Sequence, residues 1–227
     1  MNKKFSVPFL LLTVCFCIFI VLANILEAKV VKFYFFTATA GLIVFPVSYI
    51  INDCIVEVYG FQRARFVIWL GFLMNLIVVL FLQLAVVLPP DPVWTGQEAM
   101  HVIFGNTPRI LLGSFVAFVC GSMVNAYVMS KMKVASKGRN FSLRAILSTL
   151  FGESVDSAIF FPIAFGGLLP WSTILTMMWT QAVLKTVYEI IILPVTIRVV
   201  DFIKRKEQLD TFDSGDVDYR WWRIDKI

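Results

Sequence analysis

Two carboxylates, Glu153 and Asp156, lie inside an otherwise apolar stretch, Ser148 to Phe165 (STLFGESVDSAIFFPIAF). Ionisable groups at bilayer depth are costly, and where they occur they face a polar interior or a solute pathway. Spaced i, i+3, these two project from one face of a helix. Pro162 frees a backbone carbonyl nearby and is expected to kink that helix. A second polar set, Asn52, Asp53 and Glu57, closes the apolar run ending SYIINDCIVEVYG, and a third, Gln181, Lys185, Tyr188 and Glu189, interrupts WTQAVLKTVYEIIILP. Buried carboxylates with a lysine and amides suit a small polar or cationic solute. A carboxylate accepts two parallel bonds from neighbouring N–H donors, and aromatic rings stack on a planar base. Phe160, Phe161, Phe165 and Trp179 are the stacking candidates, although most of the 22 phenylalanines must face lipid or pack.

The candidate solute-binding residues are therefore Asn52, Asp53, Asn125, Glu153, Asp156, Gln181, Lys185 and Glu189, with a gating or coupling role for Glu57 and Tyr188. Each also has a plainer structural role. Glu57 lies near the expected interface and has Arg63 and Arg65 within reach as partners. Lys185 can bridge to Glu153 or Asp156, or pair with Glu189 one turn away. Asn24 and Asn125 serve equally well as interhelical hydrogen-bonding groups. The single histidine, His101, falls in a polar loop and is expected to be solvated. The four cysteines form no CxxC pair and are expected to pack as small apolar side chains. No metal or other cofactor is expected.

The elements that must position these groups are membrane spans. The chain has 227 residues, 59% hydrophobic and only 15% charged. Six runs reach the roughly 20 residues needed to cross a ~30 Å hydrocarbon layer. They run about Val7 to Leu26, Phe33 to Gly60, Phe66 to Leu88, Ile110 to Met132, Arg144 to Leu168 and Trp171 to Val200. The second and sixth are over-long, so they should tilt, protrude or unwind locally. Lys3 and Lys4 before the first run would suit a signal peptide, but no small-residue cleavage site follows, and the run reads as a helix. Lysine and arginine concentrate in alternate loops, including Arg63, Arg65, Lys131, Lys133, Lys137 and Arg139, which places both termini in the cytoplasm. The net charge of +5 reports that orientation and gives no reason to expect nucleic acid. The outer loop Pro89–Pro108 has room for a short helix around Gln97–Phe104. The link GGLLP makes the fifth and sixth spans antiparallel neighbours. Residues 1–200 form the membrane domain. Residues 201–227 form a charged cytoplasmic tail, either lying on the membrane surface through Trp221 and Trp222 or disordered.

Enzyme chemistry is disfavoured. Asn52–Asp53 matches the start of an intramembrane prenyltransferase motif, but the second acidic motif is missing. Asp53 and Asp156 lack the YD and GxGD settings of an aspartyl intramembrane protease, and no Ser–His pair lies within the spans. No GxxxxGK[ST] phosphate loop is present, so the chain hydrolyses no ATP itself.

Three segments, NDCIVEVYGFQRAR, GESVDSAIFFPIAFGG and KTVYEIIILP, together resemble the queuosine precursor transporter family, also called the vitamin uptake transporters. The resemblance covers about residues 10 to 200. It implies an all-α, six-helix bundle similar to the substrate-binding subunits of energy-coupling-factor transporters. It implies multi-pass insertion in the bacterial inner membrane, and import of a 7-deazaguanine: 7-cyano-7-deazaguanine, 7-aminomethyl-7-deazaguanine or queuine. A carrier or substrate-binding subunit for another vitamin or nucleobase is the alternative. Asn52, Asp53, Glu57, Glu153, Asp156, Lys185 and Glu189 match the family's motif positions. Glu153 or Asp156 is expected to read the guanine-like N–H edge, the other acids and Lys185 to balance charge or gate. A homodimer is expected.

Overall fold

The computed structural model describes residues 6–26, 29–32, 37–105, 108–215 and 217–223. Seven α-helices dominate it: α1 (Val7–Leu26), α2 (Phe45–Tyr59), α3 (Phe61–Val87), α4 (Gln97–Phe104), α5 (Pro108–Ala135), α6 (Phe141–Phe165) and α7 (Trp171–Glu207). Between α1 and α2 lie two three-residue antiparallel strands, β1 (Val30–Lys32) and β2 (Thr37–Thr39), and a 3₁₀ turn at Ala40–Ile43. Among the described residues, five helical stretches are long and apolar enough to cross a bilayer: Val7–Leu26, Ala40–Tyr59, Phe61–Val87, Ile110–Ala135 and Phe141–Phe165. The chain is a multi-pass, helical membrane protein. Large apolar side chains on the outer faces, among them Leu10, Leu80, Phe81, Ile191 and Phe202, are exposed as a lipid-facing belt requires.

Five of the six expected spans are thus met by length and apolarity among the described residues. The sixth lies within α7, whose 37 residues are interrupted by Gln181, Lys185 and Glu189. The expected second span is also shorter. Residues 33–36 fall outside the described ones, residues 37–39 are strand, and the α-helix starts at Phe45. The β-branched threonines at 37 and 39 favour strand. Pro46 sits in the first turn of α2, where its missing N–H removes no helical hydrogen bond. The expected short helix at Gln97–Phe104 is present as α4, and α6 runs on through Pro162 for three more residues.

Helix α2 is the axis of the bundle. It packs against α1, α3, α5, α6 and α7, and nearly every residue from Pro46 to Tyr59 is buried. Its apolar side chains, Ile55, Val56 and Val58 among them, join Phe16, Val67, Ile68 and Met129 in the main core. A helix so enclosed can carry polar groups only where neighbours answer them. A single residue, Gly60, separates α2 from α3. Its φ of 84° lies in the left-handed region, which glycine enters without steric cost. A β-carbon there would also stand 2.8 Å from Asp213 Oδ1 and 2.9 Å from Thr211 Cγ2.

That contact belongs to the C-terminal segment, whose described residues dock on the bundle rather than remaining unstructured. Asp213 accepts from the Phe61 amide at 2.9 Å, serving as a cap for α3, and from the Ser130 hydroxyl at 2.5 Å. Arg65 donates to the carbonyls of Asp218 and Arg220, at 2.7 Å each. The Trp69 indole donates to the Trp221 carbonyl at 2.7 Å, and the two rings stack. Trp222, offered by sequence as a membrane anchor, stays exposed.

Candidate functional site

Helices α5 and α6 approach backbone to backbone. A β-carbon on Gly121 would lie 2.9 Å from the Gly152 carbonyl, and one on Gly152 would lie 2.9 Å from the Gly121 carbonyl. One turn beyond each glycine stands a polar residue of the site, Asn125 on α5 and Asp156 on α6. Each packs its β-carbon against the facing glycine position, 2.8 and 2.9 Å from the atom that would be added. Small residues at a helix contact permit this closeness. Tyr49 of α2 lies over both positions.

Around this contact the site builds in two parts. On one side, Lys185 of α7 reaches α6. Its Nζ lies 2.7 Å from Glu153 Oε2, 3.5 Å from Asp156 Oδ2 and 3.8 Å from the centre of the Phe45 ring. The bridge from Lys185 to both acids is the one the sequence suggested. Glu153 is fully buried, and the lysine's approach leaves neither of its oxygens with a well-directed hydrogen bond. Beside this triad is a hollow of about 30 Å³, room for about two waters. Its polar lining is Asp156, Ser157, Gln181 and Lys185, and its aromatic lining includes Phe45, Phe160 and Phe161.

On the other side, Asn52 of α2 donates to Asn125 Oδ1 at 2.8 Å, and Asn125 donates to Thr149 Oγ1 at 3.3 Å. This chain of amides ties α2, α5 and α6 together. Next to it the carboxyl groups of Asp53 and Glu189 lie side by side. Both are buried, and no protein donor meets hydrogen-bond geometry at any of their four oxygens. Tyr49 Oη, Asn52 Oδ1 and Ser157 Oγ are buried without a partner as well. Folded proteins pair nearly all such atoms, so this concentration of unpaired buried polar atoms sets the region apart from the rest of the bundle.

The structure separates other candidates from this centre. Glu57 belongs to a second cluster at the far end of α2. Arg144 grips it from α6 and Lys204 from α7, at 2.6 Å for the lysine, while Lys133 of α5 lies 3.7 Å away and also bonds Asp210. Arg63 and Arg65, the partners expected from sequence, are engaged elsewhere: Arg63 lies over the Phe9 and Tyr59 rings. Tyr188 donates to the Ile43 carbonyl at 3.2 Å, outside the carboxylate group. Trp179 is exposed and stacks over no hollow described here, and Phe165 stacks on Phe161 behind the lining. Ser114 donates to Asn24 at 3.3 Å, beside a cavity that Asn125 does not line. Sequence reasoning missed Tyr49, Phe45, Ser157 and the Arg144–Lys133–Lys204 set. The three cations read as orientation signals, and their convergence on Glu57 has no linear signature. Among the described residues, no three His, Cys, Asp or Glu side chains form a metal-holding group.

A family model described as "Putative vitamin uptake transporter" matches residues 39–199, which hold every polar group of the site. A "Probable queuosine precursor transporter" of Bacillus subtilis (strain 168) is 31% identical over 175 residues, covering 77% of this chain and 76% of that protein. A "Queuosine precursor transporter" of Escherichia coli (strain K12) is 27% identical over 143 residues, 63% of this chain and 62% of that protein. A similarly named Haemophilus influenzae protein is 27% identical over 57% of this chain and 53% of its own length. No solved structure matches the chain.

Proposed function

We propose, for a chain that belongs to the vitamin uptake transporter family, that it imports a 7-deazaguanine precursor of queuosine across the bacterial inner membrane. The observation that supports the substrate class is the Glu153–Lys185–Asp156 group, two members of which, Asp156 and Lys185, line a hollow with aromatic walls. A guanine-type edge presents adjacent N–H donors to such a carboxylate, in the two-bond geometry that makes carboxylate recognition strong. Phe160 or Phe161 stacks on the ring. Lys185 holds the site's charge balance until the solute's donors arrive, and Asp156, Gln181 and Asn125 read its other edges. Asp53 and Glu189 complete the polar interior. No step of this function breaks a covalent bond, and the chain is no enzyme in this reading.

In the same reading α7 is a sixth crossing, its charged groups turned into the bundle, and both termini are cytoplasmic. The Glu57 cluster then closes the cytoplasmic side. The likeness to substrate-binding subunits of energy-coupling-factor transporters, and a homodimeric state, belong to this proposal too. The test is uptake-dependent tRNA modification. The chain is expressed in a bacterium that can neither make nor import queuosine precursors, and each 7-deazaguanine is supplied in turn. Queuosine should return to tRNA with at least one compound and be lost in Glu153→Gln at equal membrane abundance. Absence of queuosine with a well-inserted protein would shift the assignment to a carrier of another vitamin or nucleobase.

A further inference from the structure

A second cavity, of about 40 Å³, lies between α1, α3, α4 and α5. Its polar lining is Asn24, Asn75, Gln83 and Ser114, with no charged side chain, and its apolar walls include Val79 and Phe104. Three features make it more than a packing gap. First, Asn75 is 2% exposed and its Oδ1 has no hydrogen-bond partner. An acceptor left so is expensive to bury, and this one belongs to a cavity wall. Second, α4, which packs on α3, is held there by two glutamines, of which Gln83 stands in the cavity wall. Gln83 donates to the Phe104 carbonyl, and Gln97 donates to the Val86 carbonyl at 2.8 Å. Third, Ser114 lines both this cavity and the hollow beside Lys185. On α5, Ser114 is roughly 28 Å from Lys133 of the Glu57 cluster. The cavity is therefore at the end of the bundle opposite that cluster, and it adjoins the charged site through one shared side chain.

We propose that this cavity is a separate binding site, an antechamber that takes the solute before it reaches Glu153. Its ligand class follows from its lining: an uncharged, flat solute with an N–H or O–H donor for Asn75 Oδ1 and apolar surface for Val79 and Phe104. The proposal rests on the transport reading above for the identity of that solute and for which end is outer. An uncharged amide-lined compartment followed by a charged one sheds the solute's water in two steps, with Ser114 as the point of transfer.

The experiment uses the full chain in membranes and 7-cyano-7-deazaguanine as the probe. Val79→Cys places a thiol in the cavity wall, and its reaction with a membrane-impermeant maleimide is followed above that of the parent's four cysteines. Base at about ten times its dissociation constant should slow this reaction by about tenfold, the fall in the unoccupied fraction. The slowing should persist in Val79→Cys/Glu153→Gln, because the antechamber does not need the charged site to fill. Slowing that disappears with Glu153→Gln, or no slowing at all, overturns the antechamber. A cavity-filling variant, Val79→Phe, adds an independent readout. It should raise the half-saturating concentration for uptake about tenfold while leaving the maximal rate and thermal stability near those of the parent; an unchanged half-saturating concentration contradicts the proposal. Full uptake in Glu153→Gln would instead sink the substrate-site reading, whatever the labelling shows.

Discussion

Arg144 grips both carboxylate oxygens of Glu57, at 2.5 and 3.1 Å, with each side chain only 1% exposed. The paired, forked contact fixes α6 to α2 at one end of the bundle, and Lys204 adds α7 to the same carboxylate. Breaking a buried pair by removing one partner leaves an uncompensated charge and costs about 3–5 kcal/mol. Arg144→Ala should therefore lower thermal stability sharply in detergent. A double-mutant cycle with Glu57→Gln should return a coupling energy well above that of a surface pair. A cycle near zero would show that the contact is not maintained.

Lys185 poses the opposite case, one cation between two acids. Lys185→Met should destabilise the protein, because Glu153 and Asp156 lose their counter-charge. Adding Glu153→Gln should recover much of that stability without recovering uptake. If the double variant melts no higher than Lys185→Met alone, the ion pair is not what the lysine supports.

The glycine contact between α5 and α6 leaves no room for a side chain. Gly121→Ala would force its methyl to within 3 Å of Tyr49 Oη, the Asp156 β-carbon and the Gly152 carbonyl. Overpacking of this kind costs about 1–3 kcal/mol. It should also spread Asp156 from Lys185, so substrate affinity should fall along with the melting temperature. Stability loss with unchanged affinity would mean the helices adjust without moving the site.

The docked C-terminal segment makes a pH prediction. Arg220 and Arg223 bond the Asp218 carboxylate and hold it well below the ordinary carboxylate range. A depressed folded value means that the contribution is fully present above the unfolded value near 3.9 and is lost as pH falls toward the folded one. Fluorescence from the stacked Trp69 and Trp221 should therefore stay constant from pH 8 down to about 4 and change only below that. In Asp218→Asn the part of the change carried by this carboxylate should be absent, so the amplitude below about pH 4 should shrink. Separately, Asp213→Ala should cost about 1 kcal/mol through loss of the α3 cap.

Much of the site was readable before any coordinates. The i, i+3 pair Glu153–Asp156 and the lone mid-span Lys185 pointed to one another because each is intolerable alone in an apolar helix. Position along a helix also indicated that Asp53 lies deeper than Glu57, and the structure divides them accordingly. The partition of partners was not readable. Glu57 skips the nearby Arg63 and Arg65 for cations far along the chain, a choice made by the packing of α6 and α7 around α2. The tail misled for a related reason. Tryptophans beside arginines describe a membrane anchor and a docked strap equally well, and the docking depends on the donors waiting at Phe61, Arg65 and Trp69. The break at Gly60 and the strands before α2 depend on local backbone conformation that an apolar run conceals.

The enclosure of α2 has a consequence for how the chain is made. Ribosomal synthesis delivers α2 to the bilayer before α5, α6 and α7 exist, yet Asn52 bonds Asn125, and Glu57 bonds Arg144 and Lys204, residues 73, 87 and 147 positions later. During that interval its acids lack the partners they have in the folded bundle. The nascent α2 must wait at the lipid boundary or beside the insertion machinery, and it takes its central place as the last helices close around it. The central helix of this bundle is thus completed only by the residues made last.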